Sequence, residues 1–274
     1  MMIDELPMLT NRYEVCPEKV AAFRRDGHLL LRGVASPFEA ASYRGVITDA
    51  AMRQNSEVRP LAERDTYGKA FLQIMNLWRH DPAVARFVLS ARFAGVAMAL
   101  LGAERVRLYH DQALFKEPGG GHTPWHQDAV YWPIDGTRCV TMWMPLVDIT
   151  PDMGGVSFAS GTNTAGALGE AVISDESDQH FDALVRDRGI IIQRPVAMAA
   201  GDATFHGGWT LHNAEQNHSS AVREVMTVIF FADGIEVSEP ANESQRRDMG
   251  TWLPGLRPGD RAASTLNPLL PYPV

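Results

Sequence analysis

The segment TPWHQDAVYWP, residues 123–133, contains a histidine and an aspartate separated by one position, His126 and Asp128. On an extended chain, side chains two positions apart point to the same face of the strand. An imidazole and a carboxylate in this arrangement can bind one metal ion together. The tripeptide alone also fits a surface strand with chance polar residues, so the prediction depends on a third ligand.

A second segment supplies further histidines much later in the chain. GDATFHGGWTLHNAEQNHSSAVRE, residues 201–224, contains His206, His212 and His218. One of these histidines, together with the histidine and the aspartate of the first segment, makes the two-histidine, one-carboxylate facial triad of non-haem iron(II) oxygenases. His206 and His212 are six positions apart, so both can point the same way on an extended chain.

A zinc site is a weaker interpretation of the first segment. His122 and His126 have the spacing of two zinc ligands on one helix. Pro124 lies between them and glycines precede them, which argues against a helix at this position. A zinc hydrolase is therefore disfavoured. We expect His110 and His218 to be surface groups or neighbours of the site rather than ligands.

Four segments, in this order, carry a resemblance to a known family: AFRRDGHLLLRGVASPFEA, LFKEPGGGHTPWHQD, MWMPLVDITPDMGGVSFASGT and GDATFHGGWTLHNAEQNHSSAVRE. They resemble the opening helix and strand, the first metal motif, the segment after it and the second metal motif of the phytanoyl-CoA dioxygenase family. The resemblance implies a mainly β fold with flanking helices, built on a double-stranded β-helix (jelly-roll, cupin-like) core. The sequence departs from the usual pattern at Asn213 and at residues 161–163, and neither departure involves a proposed ligand.

The resemblance also assigns roles to individual residues. The matching positions are the metal ligands His126, Asp128 and His212, the polar pair Asn217 and Ser219, and Arg223, which binds the far carboxylate of 2-oxoglutarate. Arginine suits this task because its planar fork pairs with a carboxylate through two parallel hydrogen bonds. Gln112, Thr141 and Trp143 are further candidates for contacts with the co-substrate, and Trp143 is equally compatible with core packing. Ser219 is expected to lie at the same site.

The activity that the resemblance implies needs iron(II), 2-oxoglutarate and O2. The enzyme would oxidise an unactivated C–H bond of a small molecule and release succinate and CO2. Related halogenases have a small residue in place of the carboxylate ligand, so Asp128 favours hydroxylation, while desaturation, epimerisation and ring formation stay open. Two alternatives are a cupin-like metalloenzyme that does not use 2-oxoglutarate and a non-catalytic small-molecule-binding module.

The sequence predicts helices before Gly102 and mainly strands after it. Helices are predicted at residues 17–25, 36–52 and 82–101. Strands are predicted within RVRLYHDQALFKE, TRCVTMWMPLVDI, GGVSFAS, PVAMAAGDATF and REVMTVIFFADG. We expect residues 1–274 to form a single double-stranded β-helix domain with an N-terminal helical flank, and the polar insertion at 166–189 to be a lid with helical character.

Composition narrows the class of partner. The 274 residues carry a formal net charge of −8, and an acidic chain lacks the dense basic patch that nucleic acids and anionic membranes require. No signal peptide and no apolar run of membrane-spanning length is expected, which favours a cytoplasmic protein with a small-molecule substrate. The two cysteines, Cys16 and Cys139, are too few for a disulfide framework, and Cys139 is expected to be a buried, reduced thiol.

Overall fold

The computed structural model describes residues 3–169, 173–194 and 196–273. The helices in this part of the chain are α1 (Pro17–Asp26), α2 (Pro37–Gln54), α3 (Thr66–Ala70), α4 (Pro82–Val88), α5 (Ala91–Leu101), α6 (Asp175–Asp187) and α7 (Glu243–Trp252). The strands are β1 (His28–Leu31), β2 (Leu72–Met75), β3 (Val106–Lys116), β4 (Thr123–His126), β5 (Cys139–Pro145), β6 (Val156–Ala159), β7 (Ile192–Gln193), β8 (Ala203–Gly207), β9 (His212–Ala214) and β10 (Arg223–Ala232).

The strands form two antiparallel sheets. The larger sheet has the order β1-β8-β5-β10-β3-β2, and the smaller sheet has the order β4-β9-β6-β7. Trp143 and Val225 of the larger sheet belong to the same buried apolar cluster as Val156 and Phe158 of the smaller sheet, so the two sheets face each other. This is the predicted double-stranded β-helix core.

The flanking helices cover the other face of the larger sheet. Met142 on β5 and Val228 on β10 pack into one buried cluster with Tyr43 of α2, Phe87 of α4 and Phe93 of α5. Because side chains alternate along a strand, the neighbouring positions on β5 and β10 point into the space between the sheets. The helices therefore fix the orientation of the larger sheet, whose other face points toward the smaller sheet.

Short sequence signals mark the end of α1 and the start of α2. Gly27 ends α1 in the left-handed conformation, with φ of 81°, and its N–H donates to the carbonyl of Phe23. Ser36 accepts a hydrogen bond from the N–H of Glu39, and the Glu39 side chain accepts one from the N–H of Ser36, so α2 begins with a capping box. Both predicted helices are confirmed.

The single helix predicted at residues 82–101 is wrong. The chain forms α4 and α5 there, and Ser90 separates them because its side chain accepts a hydrogen bond from the N–H of Phe93 and caps α5. By length and hydropathy, Pro82–Leu101 is also apolar enough to cross a membrane, contrary to expectation, although 72% of its most apolar window is buried inside the fold. The same apolar character makes it part of the core.

Most of the strand predictions were correct, but the prediction at residues 196–202 was wrong. Of the described residues in PVAMAAGDATF only the last three belong to a strand, β8 (Ala203–Gly207), while Pro195 lies outside the described residues. The Asp202 side chain accepts hydrogen bonds from the N–H groups of Gly33 and Ala199, which favours a turn before β8. Residues 170–172 of the predicted lid also lie outside the described part.

A β-bulge interrupts the pairing of β3 with β10. His110 pairs with Ile229 and Leu108 pairs with Phe230, so Tyr109 has no partner on β10. A bulge changes which residues point to which face of the sheet. Leu108 packs with the helices, whereas Tyr109 packs in a separate cluster near the carboxyl-terminal end of the fold. Tyr109 and His110 are consecutive residues that both contact the ring of another aromatic residue in that region.

Candidate active site

The two metal motifs meet between the paired strands β4 and β9. His126, the last residue of β4, pairs in register with His212, the first residue of β9. Asp128 was predicted to lie on the same strand, but it begins a 3-10 turn that ends at Val130. Gln127 between them is still extended, with φ of −120° and ψ of 124°, so His126 and Asp128 point to the same side despite the change of structure.

The three predicted ligands form one compact group. One ligand atom from each of His126, Asp128 and His212 lies within 4.8 Å of the other two. Asp128 Oδ1 is 3.7 Å from His126 Nε2 and 3.8 Å from His212 Nε2. The side chains are only 11%, 22% and 9% exposed in sequence order. A donor set of two imidazoles and one carboxylate at this separation fits a divalent metal such as iron(II).

The hydrogen bonds of the two histidines determine which nitrogen faces the metal position. His126 Nδ1 lies 2.8 Å from the carbonyl oxygen of Pro124, and His212 Nδ1 lies 2.9 Å from that of Thr210. A carbonyl only accepts, so Nδ1 donates in both rings and each Nε2 keeps its lone pair. Backbone carbonyls hold metal-binding histidines in this tautomer in many proteins.

The charges of the group suit metal binding. Burial, followed by the neighbouring histidine, lowers the pKa of His126 and of His212 to about 4. Burial alone would raise the pKa of the Asp128 carboxyl, but His212, His206 and His126 together hold that pKa well below its usual range. Two neutral imidazoles and an ionised carboxylate are the forms that coordinate a metal.

His206, the other histidine of the second motif, contacts the carboxylate from the opposite side. Its Nε2 lies 3.2 Å from Asp128 Oδ2, and the hydroxyl of Thr141 donates to the same oxygen at 3.0 Å. Asp128 Oδ1 is left to face His126 and His212. Thr141 was predicted to contact the co-substrate, and the contact that the structure gives its hydroxyl is the one with Asp128.

A cavity of about 600 Å³ opens beside these residues. Seven of the predicted site residues line it: Gln112, His126, Asp128, Thr141, Trp143, His212 and Arg223. Ser219 is not among its lining residues, because its hydroxyl donates to Asn217 Oδ1 at 2.8 Å within the turn before β10. Asn217 in turn donates to the carbonyls of Lys116 and Ala221, so this polar pair organises a turn.

Arg223 is a buried cation with spare hydrogen-bonding capacity. Its side chain is 1% exposed, its guanidinium donates to the carbonyl of Gly154, and its Nε has no hydrogen-bond partner among the described residues. The guanidinium carbon lies 5.3 Å from the centroid of the Trp143 ring, within reach of a cation–π interaction. Burial lowers the pKa of Arg223 to about 9.

A buried lysine lies near Arg223. Lys116 pairs with Arg223 across β3 and β10 and is fully buried. Burial, and then the charge of Arg223, lowers the pKa of Lys116 to about 6, so its amine is mostly neutral at neutral pH. The amine nitrogen donates to the carbonyl of Gly121. In the described part of the chain no carboxylate forms an ion pair with Arg223, so this end of the cavity favours an anion.

Gln112 and His110 line the cavity, whereas the other two candidate histidines, His122 and His218, do not. Gln112 lines the cavity, and its Oε1 accepts a hydrogen bond from Gln73 at 2.9 Å. His122 lies 3.2 Å from Asp178 rather than at the metal position, and His218 is exposed. His110, in contrast, is 2% exposed and lines the cavity.

Part of the cavity wall was not predicted from the sequence. Helix α7, which was not predicted, contributes Asp248 and Trp252 to the lining. Its apolar positions are few, and no residue of the helix is fully buried, so the hydrophobic periodicity that identifies a helix is weak here. Both cysteines are free, and burial raises the pKa of the Cys139 thiol, as expected for an inert core residue.

Comparisons with known proteins agree with this geometry. A family model described as phytanoyl-CoA dioxygenase (PhyH) matches residues 23–225. An ectoine dioxygenase from Stutzerimonas stutzeri (strain A1501) is 24% identical over 258 residues, which is 85% of this chain and 82% of that protein. An ectoine dioxygenase from Sphingopyxis alaskensis is 28% identical over 165 residues, which is 56% of this chain and 52% of that protein.

Solved structures show the same fold. The non-haem alpha-ketoglutarate-dependent carbocyclase SnoK from nogalamycin biosynthesis has a TM-score of 0.76 at 23% identity, over 94% of this chain and 97% of that one. EctD from S. alaskensis, solved with 2-oxoglutarate and 5-hydroxyectoine, has a TM-score of 0.62 at 21% identity, over 85% of this chain and 83% of that one. With a family model that spans most of its length, the chain belongs to the phytanoyl-CoA dioxygenase family of iron(II)- and 2-oxoglutarate-dependent dioxygenases.

Proposed function

We propose that this dioxygenase binds iron(II) through His126, Asp128 and His212, binds 2-oxoglutarate through Arg223, and hydroxylates an unactivated C–H bond of a small molecule. The observation that carries the proposal is that one cavity contains both the metal-binding group and a buried arginine that has no carboxylate partner among the described residues. Each of the two is costly to bury alone, and a metal with a dicarboxylate ligand compensates both.

Iron(II), when bound, supplies the redox chemistry by which substrate–H, O2 and 2-oxoglutarate become substrate–OH, succinate and CO2. The residues of the chain supply geometry. The carbonyls behind His126 and His212 fix the two imidazoles, while Thr141 and His206 fix the Asp128 carboxylate from its other oxygen. A ligand set held in this way needs little rearrangement when the metal binds.

Arg223 orients the co-substrate in this proposal. The guanidinium lies near the Trp143 ring and Arg223 lines the cavity. Among the described residues its hydrogen bond is the one from Nη1 to the Gly154 carbonyl, so other N–H groups of the guanidinium can donate to a carboxylate. Gln112 and Trp143 line the same cavity and are proposed to contact 2-oxoglutarate, whereas Ser219 is assigned to the turn that carries Arg223.

Hydroxylation rather than halogenation is the proposed outcome, because the carboxylate ligand is present. Asp128 occupies the position that halogenases leave open for chloride, so a halide has no vacant site there. The relatives act on small molecules according to their names, and the apolar, aromatic-lined cavity of this chain favours a small-molecule substrate as well. A cupin-like enzyme without 2-oxoglutarate would have no need of Arg223, and a non-catalytic binding module would have no need of the metal-binding group.

We also propose that residues 166–189 cover the cavity of a single-domain enzyme. Ile173 lines the cavity, and its N–H donates to the Tyr131 hydroxyl at 2.9 Å. Asp178 and Asp182 of α6 accept hydrogen bonds from the backbone and the indole N–H of Trp125 on β4, each at 2.8 Å. These contacts join the segment to the strand that carries His126.

The test is succinate formation from 2-oxoglutarate by protein loaded with iron(II) without oxygen and then exposed to O2. Wild type is expected to form succinate slowly even without the prime substrate. His126→Ala, Asp128→Ala and His212→Ala are expected to abolish it. Arg223→Ala is expected to need at least about tenfold more 2-oxoglutarate, since a charge-assisted hydrogen bond contributes about 1.5–3 kcal/mol. The 2-oxoglutarate requirement of Arg223→Lys is expected to lie between those of wild type and Arg223→Ala.

His218→Ala is the matched control, because this histidine is exposed and lies in the same segment as His212. It is expected to behave as wild type. If wild type binds iron(II) but neither binds nor consumes 2-oxoglutarate, the proposed roles of these residues are wrong. If Arg223→Ala has an unchanged requirement for 2-oxoglutarate, the co-substrate binds elsewhere in the cavity.

A further inference from the structure

The cavity has a second group of polar and aromatic side chains, on α7. Arg247, Asp248, Thr251 and Trp252 all line it. Asp248, Thr251 and Trp252 have the spacing i, i+3 and i+4, so they share one face of the helix. The proposed function gives this face no task.

Contacts with the metal motif anchor α7. Asn242, which caps the helix, and Gln245 in its first turn both donate to the carbonyl of Val130 at 3.2 Å. Val130 ends the 3-10 turn that Asp128 begins. The position of the helix is therefore coupled to the loop that carries a proposed metal ligand.

Tyr109 and His110, at the bulge of β3, contact this face of α7. The Tyr109 hydroxyl donates to Asp248 Oδ2 at 3.1 Å. The His110 ring lies 5.1 Å from the Trp252 ring and 5.1 Å from the Tyr109 ring, measured between centroids. Trp132 lies 5.5 Å from Tyr109 in the same way. An acidic side chain thus lies at the edge of a set of aromatic rings.

Asp248 has neutral donors but no ionic partner. In the part of the chain that the structure describes, it forms no ion pair, and Arg247 acts on it only at longer range from an exposed position. Burial raises the pKa of Asp248 to about 7, although hydrogen bonds from Tyr109 and Trp252 and the charge of Arg247 oppose the rise. A cation brought next to this carboxyl would relieve the cost of ionising it.

His110 has an unused hydrogen-bonding atom at the same place. Its side chain is 2% exposed, and Nδ1 is buried without a hydrogen-bond partner among the described residues. Burial lowers the pKa of His110 to about 3, so the ring is neutral and one of its nitrogens is an acceptor. The His110 ring also lines the cavity, so a ligand there can donate a hydrogen bond to its acceptor nitrogen.

The strand register places this group within reach of the metal-binding residues but far from Arg223. Thr141, Ile229 and His110 lie opposite one another on three adjacent strands, so Thr141 and His110 are two strand spacings apart, about 10 Å. Arg223 is six residues from Ile229 along β10, about 20 Å. Five-carbon 2-oxoglutarate is too short to occupy both ends, so the α7 group is available to a second molecule.

We infer that Asp248, His110 and the rings of Trp132 and Trp252, which all line the cavity, bind an ammonium group of the prime substrate, which is a ring-bearing amine. This inference rests on the proposed function, since it assigns the other half of the same cavity. A carboxylate attracts an ammonium group by charge, the neutral imidazole accepts one of its N–H bonds, and aromatic rings attract cations through their faces.

Three probes with the same ring and arm test the inference: tryptamine, tryptophol and indole-3-acetate, which end in an ammonium, a hydroxyl and a carboxylate. Binding to the anaerobic protein with iron(II) and 2-oxoglutarate is measured by titration calorimetry and by thermal shift. Wild type is expected to bind tryptamine at least about tenfold more tightly than tryptophol, because a charged hydrogen bond contributes about 1.5–3 kcal/mol, and to bind indole-3-acetate most weakly.

Asp248→Asn is expected to reduce the preference for tryptamine over tryptophol to within about twofold, since the amide keeps the shape and loses the charge. Glu243→Gln is the control, because this acid lies on the same helix but is exposed and pairs with Arg246. It is expected to keep the wild-type preference. The comparison within wild type does not depend on the folding of any variant.

The inference is overturned if tryptamine does not bind, if tryptophol or indole-3-acetate binds as tightly, or if Asp248→Asn keeps the preference. Binding is measured without turnover. A failure of the inferred amine site can therefore be distinguished from a failure of the proposed function. Succinate formation without a preference for the amine refutes the α7 site alone. Preferential amine binding without consumption of 2-oxoglutarate refutes the proposed reaction alone.

Discussion

Asp111 is a fully buried carboxyl group outside the cavity, and it joins β3 to the turn that follows β2. Its Oδ1 accepts a hydrogen bond from the N–H of Leu77 at 3.1 Å, and its Oδ2 accepts one from that of Trp78 at 3.3 Å. Burial raises the pKa of Asp111 to about 7, and the two backbone donors oppose the rise. No motif in the sequence identifies this residue, because its burial depends on the helices that pack over β3.

The raised pKa of Asp111 predicts how stability depends on pH. A carboxyl whose pKa is higher in the folded state contributes its full stability below its unfolded pKa, 3.8, and loses it as pH rises through about 7. Relative to Asp111→Asn, wild type is expected to lose up to about 4 kcal/mol of unfolding free energy across this window, at 1.36 kcal/mol for each pH unit. Urea unfolding at both ends of the window measures the difference.

Asp187→Asn serves as the control for Asp111, because the Asp187 side chain is 71% exposed. The difference in unfolding free energy between Asp187→Asn and wild type is expected not to change with pH. A constant difference in unfolding free energy between wild type and Asp111→Asn across the same window would show that folding does not raise the pKa of Asp111.

At the scale of elements, the turn before β8 depends on a glycine. Gly201 has φ of 89°, its N–H donates to the carbonyl of Pro145, and its carbonyl accepts from the N–H of Ala35. A Cβ on Gly201 would collide with the carbonyl oxygen of Ala35. The turn therefore needs glycine for its conformation and for the close approach of two backbones.

Gly201→Ala is expected to destabilise the protein by at least about 2 kcal/mol more than Gly259→Ala, because overpacking against backbone typically costs about 1–3 kcal/mol. Gly259 is a matched control: its φ is 88°, and a Cβ there would meet nothing within 4 Å. Denaturant unfolding of the two variants compares them directly. Equal losses would mean that only the backbone conformation matters at Gly201.

At the scale of the whole molecule, the site should couple its ligands to folding. A ligand that binds only the folded state at about 100 times its Kd adds about 2.7 kcal/mol, which raises the Tm of a chain of this size by about 5–10 °C. We expect iron(II) to raise the Tm of the wild type and 2-oxoglutarate to raise it further. Anaerobic thermal unfolding measures both steps.

His126→Ala should lose both steps of the Tm increase, whereas His218→Ala should keep them. The order of addition is informative, because 2-oxoglutarate is proposed to bind the metal as well as Arg223. An equal rise in Tm with 2-oxoglutarate in the absence of any metal would contradict this joint binding.

Several features of the site followed from the sequence because their cause is local. His126 and Asp128 point together since Gln127 between them is extended, and this holds even though the strand ends at His126. Gly27 and Ser36 marked helix ends through side-chain and backbone properties of a few neighbouring residues. The family resemblance then added the fold and the pairing of two distant motifs.

The tertiary structure alone decided which distant groups meet. The register of β9 against β4 brings His212 to His126, while β8 directs His206 to the other oxygen of Asp128. Contacts between segments far apart in the chain place Arg223 beside the Gly154 carbonyl, with no carboxylate partner in the part of the chain that the structure describes. Such contacts also place Asp248 of α7 beside Tyr109 at the bulge of β3. Periodicity and capping act over a few residues, whereas burial and ion pairing depend on the packing of the entire fold.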